Sequence, residues 1–195
     1  QCLYNLINVY PHLLMMPLIF IAGVYGVGKS TICNNLNKSL GIPTYSSSKL
    51  ISAINGEKYG CNKSVNDKVS NQHILINSVE QYLKEDSYFI LDGHFCILDK
   101  QQNVDVLPEF VFRELHLCKI ILLDASVDAI IYNLNKRDNK VYSIETIKNL
   151  KDMEYRQAKK LSEELNIPLI IHNVYFNEED TKILSRYIED NDKHE

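Results

Sequence analysis

The chain has 195 residues, enough for one domain with a sizeable core, and its hydrophobic fraction of 45% and charged fraction of 24% leave little room for extended disorder. Its formal net charge is −4 and it has no dense Lys/Arg run, so it lacks the electrostatic footprint of a dedicated nucleic-acid binder. Five cysteines without a CxxC pair indicate neither a disulfide framework nor a zinc knuckle, and we expect a reducing cytoplasm.

The first fifteen residues are apolar, begin with Gln, and lack the basic start and small-residue cleavage site of a secretory signal. They are too short to span a bilayer, and Pro11 and Pro17 interrupt the run, so we expect no membrane association. We interpret residues 1–15 as an appendage before a natural start near Met15 or Met16, and residues 16–195 as a single domain.

The first predicted element is a buried parallel strand over Leu18–Ala22, a continuous apolar run that ends at Gly23. A helix is predicted to begin near Lys29 and to end at Gly41, with Pro43 just beyond. These two elements frame a glycine-rich connection.

Three later apolar runs, at 88–91, 120–123 and 168–171, also predict buried strands, and the segments between them have helical periodicity. This alternation predicts a parallel α/β sheet. The less regular stretches are 46–67, 92–106 and 136–142. Because ligands of such sheets bind beyond the carboxyl ends of the strands, these stretches are candidates to face the substrate.

The segment from Gly23 to Ser30 fits G-x-x-x-x-G-K-[ST] between a predicted strand and a predicted helix, the context that supports such a match over a chance turn. Glycines let the backbone bring N–H groups close to phosphate oxygens, and the helix start adds a positive dipole end. Lys29 is predicted to reach the β- and γ-phosphates, and the Ser30 hydroxyl to bind Mg²⁺. The predicted nucleotide-binding residues are Gly23, Tyr25, Gly26, Val27, Gly28, Lys29, Ser30 and Thr31.

Acidic residues follow two of the predicted strands. Asp92 is predicted to lie at the same edge of the sheet as the phosphate loop, where its carboxylate can bind Mg²⁺ or the waters of Mg²⁺. The alternative is an Asp that only forms a turn before Gly93. For Asp124 we favour a structural or helix-capping role. His94 either faces the substrate or is a hydrogen-bonding scaffold residue, and the sequence does not separate these two hypotheses.

A charge run at 136–140 follows an amphipathic helix and precedes Ser143, a candidate N-cap, so we expect an exposed connector. Phosphoryl transfer needs mobile cations that close over the transferring group, which makes this run a candidate lid. A simply solvated charge run is the alternative. Arg156 is predicted to lie inside the next helix, where a surface role is the default.

Written as Gly23-x-x-Gly26-x-Gly28-Lys29-Ser30, the phosphate loop resembles that of the nucleoside and nucleotide monophosphate kinases. The later order of Asp92-Gly93-His94, Asp124, Arg137-Asp138 and Glu154-Tyr155-Arg156 is similar to the archaeal type of adenylate kinase. The resemblance covers roughly residues 17–173. It implies a single three-layer α/β P-loop kinase domain over 16–195, with a five-stranded parallel sheet flanked by helices and a short lid at about 136–142.

The resemblance also implies roles for individual residues. Lys29, Arg137 and Arg156 become the catalytic cations, and Ser30 and Asp92 serve Mg²⁺, with ATP as the phosphoryl donor. Such kinases present an arginine to the acceptor monophosphate from the segment before the third strand, yet no arginine occurs here between Ser30 and Phe112. Lysines of that segment, which lack the bidentate fork of arginine, include Lys49, Lys58, Lys63 and Lys68.

The leading hypothesis is a cytoplasmic phosphotransferase that moves the γ-phosphoryl of ATP to a small acceptor, with a nucleoside monophosphate favoured by the resemblance. The alternative is a P-loop ATPase or GTPase module that hydrolyses nucleotide to regulate a partner protein, for which the apolar N-terminal segment is a candidate docking element. A kinase of nucleic-acid ends or of a metabolite is a third hypothesis, and the acidic balance argues against nucleic acid.

Overall fold

A computed structural model describes residues 18–55, 68–83, 89–138 and 141–189 of the chain. These described residues form seven strands: β1 Leu18–Ala22, β2 Thr44–Ser46, β3 Phe89–Asp92, β4 Cys96–Leu98, β5 Val104–Val106, β6 Leu117–Asp124 and β7 Leu169–Asn173. The helices within the described ranges are α1 Lys29–Leu40, α2 Ser47–Asn55, α3 Lys68–Leu83, α4 Glu109–Glu114, α5 Val127–Asp138, α6 Ile144–Leu165 and α7 Glu178–Glu189. The expected appendage 1–15 lies outside the described residues.

Five strands form one parallel sheet in the order β2-β3-β1-β6-β7, which confirms the expected α/β fold with a five-stranded parallel sheet flanked by helices. The central strand β1 is fully buried, as a strand covered on both faces must be. Because β3 and β6 flank β1, the residues that follow these three strands meet at one edge of the sheet.

Contacts of the helices with one another, with the sheet and with the hairpin complete the fold. Helix α6 lies against β6 and also against the antiparallel β4–β5 hairpin, which follows β3. Helix α5 packs on α6, and α1 packs on α7. No helix in the described ranges combines the length and the apolar character that crossing a membrane requires.

The sequence predicted β1, β3, β6 and β7 at nearly the observed positions. Helix α1 begins at Lys29 and ends before Gly41, whose left-handed backbone (φ 69°) lets its N–H group donate to Asn37 O at 2.9 Å. Features that were not anticipated individually include the three-residue strand β2 and the helices α4 and α7. They also include helix α2 and the β4–β5 hairpin, which lie within the stretches 46–67 and 92–106 that we expected to be irregular.

The expected connector at 136–140 is wrong in part, because α5 continues through Asp138. Lys136 and Arg137 therefore lie in the last turn of a helix, where cations interact favourably with the negative dipole end. Tyr142 donates from its hydroxyl to Asp138 Oδ2 at 2.6 Å and so holds the chain that follows against this turn. Residues 139–140 of the expected lid lie outside the described residues.

Candidate active site

The phosphate loop joins β1 to α1, and its glycines have backbone conformations that other residues rarely adopt. Gly23 has φ 146°, and a Cβ there would lie 2.7 Å from Leu123 O. Gly26 has φ 79°, and a Cβ would lie 2.8 Å from Leu134 Cγ. A side chain at either position would therefore collide with neighbouring atoms, so the loop requires glycine there. The Val27 side chain is fully buried in the core, so this residue can offer a ligand only its backbone.

Lys29, the first residue of α1, is folded back over this loop. Its ammonium donates to Gly23 O at 2.5 Å and to Val24 O at 3.1 Å, and the residue is only 8% exposed. The first turn of α1 contains no acidic residue, so its positive dipole end is left for an anion. A loop of backbone N–H groups, a lysine and a helix start fits the phosphates of a nucleotide.

A cavity of about 610 Å³ lies over the phosphate loop, within the size range of small-molecule sites. We call it the donor cavity. It is lined by loop and α1 residues, by the end of β3, by α5 and by the β7–α7 connection, and its lining includes Tyr25, Gly26, Gly28, Lys29, Ser30, Thr31, Asp92, His94, Asn133, Arg137, Val174, Phe176 and Asn177. Most of the residues predicted from the sequence therefore meet in one place.

Asp92 lies beside the phosphate loop because β3 pairs with β1, and Ile21 of β1 is its register partner. Gly93 N donates to Ile21 O at 3.1 Å, which continues this pairing past the end of the strand. Ser30 is exposed at the start of α1 and lines the same cavity. A hydroxyl and a carboxylate are oxygen donors of the kind that Mg²⁺ prefers, so these two residues fit the predicted metal role.

Arg137 and Arg156, both predicted to act on the phosphates, lie in different environments. Arg137 lines the donor cavity, where its guanidinium is paired with Asp138 at 2.5 Å. Arg156 is 68% exposed, is paired with Asp152 at 2.9 Å and does not line the cavity. The reason is helical geometry: Arg156 is two residues, or about 200°, beyond Glu154, which faces the interior. The geometry therefore does not support Arg156 as a phosphate ligand.

A smaller cavity of about 90 Å³ adjoins the donor cavity, and we call it the acceptor pocket. It lies among α2, α3, the end of β3 and the β4–β5 hairpin, with a lining that includes Phe20, Ser47, Ile51, Asn71, Gln72, Leu75, Ile97, Leu107 and Phe112. Four residues line both cavities: Tyr25, Ser48, Asp92 and His94. Among the described residues that line the acceptor pocket there is no lysine or arginine.

A family model described as AAA domain matches residues 22–151, about two thirds of the chain. The chain belongs to the AAA domain family. No curated protein sequence matches it significantly.

Solved structures show the fold of this AAA domain. Shikimate kinase from Acinetobacter baumannii, in complex with shikimate, superposes with TM-score 0.61 at 15% identity over 96% of this chain and 99% of that one. Shikimate kinase from Aquifex aeolicus vf5 gives 0.60 at 16% identity, with 91% and 99% covered. A gluconokinase from Sinorhizobium meliloti 1021 gives 0.53 at 11% identity, with 91% and 95% covered. The chain therefore has the P-loop kinase fold, while the archaeal adenylate kinase type is not confirmed.

Three contributions to the site were missed in the sequence. Asn133 donates from its side-chain amide to Gly26 O at 2.9 Å and so fastens α5 to the phosphate loop. Glu154, buried in α6, accepts hydrogen bonds from backbone N–H groups, including that of Gly23 at 3.1 Å. The sequence did carry a signal for Glu154, since a carboxylate stands on the apolar face of a long helix. Asn133 carried none.

The third missed contribution is the β7–α7 connection. The buried carboxylate of Asp180 accepts from Tyr175 N at 2.8 Å and from Asn177 N at 3.3 Å, and its Oδ1 lies 2.7 Å from His172 Nε2. This arrangement shapes the connection so that Phe176, with φ 58°, lies beside the loop, where a Cβ on Gly28 would be 3.6 Å from its ring. An aromatic face is thus available at the rim of the donor cavity.

Asp124 has the structural role that we favoured, but it does not cap α5. Its carboxylate lies 3.0 Å from Lys151 Nζ of α6, and its backbone oxygen accepts from Val174 N at 2.8 Å. Ser126 performs the capping, because its hydroxyl oxygen accepts from Ala129 N at 3.2 Å. Asp124, the last residue of β6, therefore connects this strand to α6 and to the β7–α7 connection, while Ser126 caps α5.

Proposed function

We propose that this AAA domain is an ATP-dependent phosphotransferase that moves the γ-phosphoryl of ATP to a small acceptor. The observation that supports this proposal best is the junction of two cavities at Tyr25, Ser48, Asp92 and His94. Transfer requires the donor and the acceptor to be bound side by side with water excluded. A nucleotide hydrolase needs no second cavity next to the phosphates of its nucleotide.

In the proposed reaction the phosphate loop and the start of α1 hold the phosphates of ATP, and Lys29 exchanges its carbonyl partners for β- and γ-phosphate oxygens. Ser30 and Asp92 would hold Mg²⁺, which supplies charge neutralisation at the phosphates when bound. Arg137 already lines the donor cavity, and its helix-end position lets its guanidinium turn from Asp138 toward the transferring group. Arg156 takes no part in this proposal.

A nucleoside monophosphate is the acceptor that the resemblance implies, and we retain it as the first acceptor to test. Its phosphate needs cations, because Asp92 at the junction would repel it. Lys49 is exposed on α2 and does not line the acceptor pocket. Lys58 and Lys63 lie outside the described residues, in the segment between α2 and α3, and Lys68 is the first residue of α3. These three are the lysines that this acceptor would require.

An uncharged alcohol, such as a nucleoside or a polyol, is a second candidate acceptor. It is favoured by the described lining, which offers the side-chain amides of the buried Asn71 and Gln72, the Ser48 hydroxyl and the His94 imidazole. Amides and hydroxyls recognise hydroxyl groups through neutral hydrogen bonds. The two candidates differ in charge, so the same assay separates them.

The test is ADP formation from ATP with Mg²⁺, measured against a panel of nucleoside monophosphates, nucleosides and polyols. We expect one class of acceptor to raise ADP formation well above the acceptor-free rate, and Lys29→Ala to abolish the increase. If a monophosphate is the acceptor, Lys58→Ala and Lys63→Ala will raise its KM and leave that of ATP unchanged. Hydrolysis that no acceptor stimulates would contradict the proposal and support the nucleotide-dependent regulator instead.

A further inference from the structure

Glu154 occupies an unusual position in α6. It lies on the buried face of this helix with Ile147, Leu150, Ala158 and Leu161, and it is only 1% exposed. A carboxylate among aliphatic side chains is costly unless hydrogen bonds satisfy its oxygens. Helix packing alone would favour an apolar residue here, so the carboxylate must be explained by its partners.

Those partners are backbone N–H groups from two segments that are distant in sequence. Gly23 N donates to Glu154 Oε1 at 3.1 Å, and Cys96 N donates to Oε2 at 2.8 Å. Phe95 N lies 3.0 Å from both oxygens. Backbone donors face each oxygen, and the ionised side chain can accept from all of them because both of its oxygens are acceptors.

The two segments belong to the two halves of the proposed site. Gly23 opens the phosphate loop, whereas Phe95 follows His94 and Cys96 begins β4, whose Ile97 lines the acceptor pocket. The Glu154 carboxylate therefore joins the loop that would hold the donor to the wall that would hold the acceptor.

The Glu154 carboxylate also interacts electrostatically with the phosphate loop. Burial raises the pKa of Glu154 to about 7, against the lowering effects of its N–H donors and of the nearby Lys29 ammonium. The carboxylate therefore lies close enough to the loop lysine to interact with its charge. The same group thus accepts a hydrogen bond from the first glycine of the loop and interacts electrostatically with the lysine that follows the loop.

We infer that Glu154 is a positioning residue, which holds Gly23 and the Phe95–Cys96 segment together and so keeps the phosphate loop and the acceptor pocket in a fixed relative geometry. Its kinetic consequence rests on the proposed function. The hydrogen-bonded bridge itself does not depend on the identity of the acceptor.

The decisive variant is Glu154→Gln, compared with wild type at pH 8, where the wild-type carboxyl is ionised. It keeps the size of the side chain but places an NH₂ group against a backbone N–H donor. Amide hydrogen exchange should become about tenfold faster or more at Gly23 and at Cys96 together, measured relative to Ile121 in the central strand β6. Leu161→Ala, on the same buried face, is the control for lost stability, and it should leave these two ratios unchanged. Glu163→Gln, an exposed acid of the same helix, is the control for charge.

Steady-state kinetics test the positioning role of Glu154 independently of hydrogen exchange. We expect Glu154→Gln to lower kcat about tenfold or more and to raise the KM of the acceptor, while Leu161→Ala keeps wild-type kcat per folded molecule. Unchanged exchange ratios, or wild-type kinetics in Glu154→Gln, would overturn the inference. If the wild-type chain transfers phosphoryl to no acceptor, the kinase proposal fails, but the exchange ratios still decide whether the bridge exists.

Discussion

The Tyr25 ring lies against the His94 imidazole, with centroids 4.3 Å apart and planes inclined by 48°. Tyr25 comes from the phosphate loop and His94 from the connection after β3, and both line the donor cavity and the acceptor pocket. Burial raises the pKa of the Tyr25 hydroxyl, which also hydrogen-bonds to the backbone of Leu98 in β4. Two rings therefore form the boundary at which the proposed transfer would occur.

This ring pair leads to a double-mutant prediction. We expect Tyr25→Ala and His94→Ala each to raise the KM of the acceptor, since each removes a wall shared by the two cavities. The effects should be less than additive, with a coupling free energy of about 0.5–1.5 kcal/mol, the range for a contacting ring pair. Tyr25→Phe keeps the ring and serves as the control. Fully additive effects on acceptor KM would show that the contact has no energetic role.

Lys29 is predicted to be indispensable for transfer. Lys29→Ala removes the ammonium that now donates to Gly23 O and Val24 O, and with it the charge expected at the β- and γ-phosphates. We expect acceptor-dependent ADP formation to fall by about 10²–10³-fold or more. Lys38→Ala, in the last turn of the same helix, should stay within about twofold of wild type. Substantial transfer by a folded Lys29→Ala protein would contradict the assignment of the donor site.

The two arginines offer a matched comparison. Arg137 lines the donor cavity, whereas Arg156 is exposed and paired with Asp152. We expect Arg137→Ala to lower kcat about 10²-fold, because a cation at the transferring phosphoryl acts mainly in the transition state. Arg156→Ala should change neither kcat nor KM by more than about twofold. Equal losses in the two variants would mean that α6 adopts another orientation during turnover.

These arginines also show which part of the site could not be predicted from the sequence. The positions of the phosphate loop, α1 and Asp92 could be predicted because each depends on residues that are neighbours in the sequence. The signals are a glycine spacing, a helix start and the end of an apolar run. Arg156 was assigned by matching position in a family resemblance, and such a match does not say which face of a helix a residue occupies. The structure turns the opposite face of α6 toward the loop.

Side chains that contact the backbone of distant segments could not be predicted from the sequence either. Asn133 meets Gly26 across the chain, and Glu154 meets Gly23, Phe95 and Cys96. Partners of this kind depend on how α5 and α6 pack, and no spacing in the sequence encodes that packing. Strand β2 was missed for another reason, since three residues are too few to show an alternation or an apolar run.

The loop glycines allow a prediction about stability that needs no substrate. Gly26→Ala would place a Cβ 2.8 Å from Leu134 Cγ and 3.0 Å from Ile130 O at φ 79°. Gly41→Ala meets nothing within 4 Å at φ 69°, so it carries only the backbone cost of about 1–2 kcal/mol. We expect Gly26→Ala to lower the free energy of unfolding by about 1–3 kcal/mol more than Gly41→Ala, as measured by urea denaturation. Equal losses would contradict the tight packing of this loop.

The pKa of Glu154 predicts a pH dependence of stability. Burial raises this pKa from 4.5 to about 7, so between these values the folded chain keeps a proton that the unfolded chain has lost. The free energy of unfolding contributed by this group is therefore fully present below about pH 4.5, falls as the pH rises to about 7, and is constant above it. Urea denaturation from pH 5 to 8 measures this trend.

Glu154→Gln isolates the contribution of this group, because the other titrating groups are common to both proteins and largely cancel in the difference. Among the groups near the carboxylate, burial raises the pKa of both the Cys96 thiol and the Tyr25 hydroxyl, so neither ionises in this window. The stability of wild type relative to Glu154→Gln should therefore decrease as the pH rises from 5 to 7. A difference that stays flat, or that increases with pH, would mean that hydrogen bonds and Lys29 outweigh burial and keep the carboxylate ionised throughout.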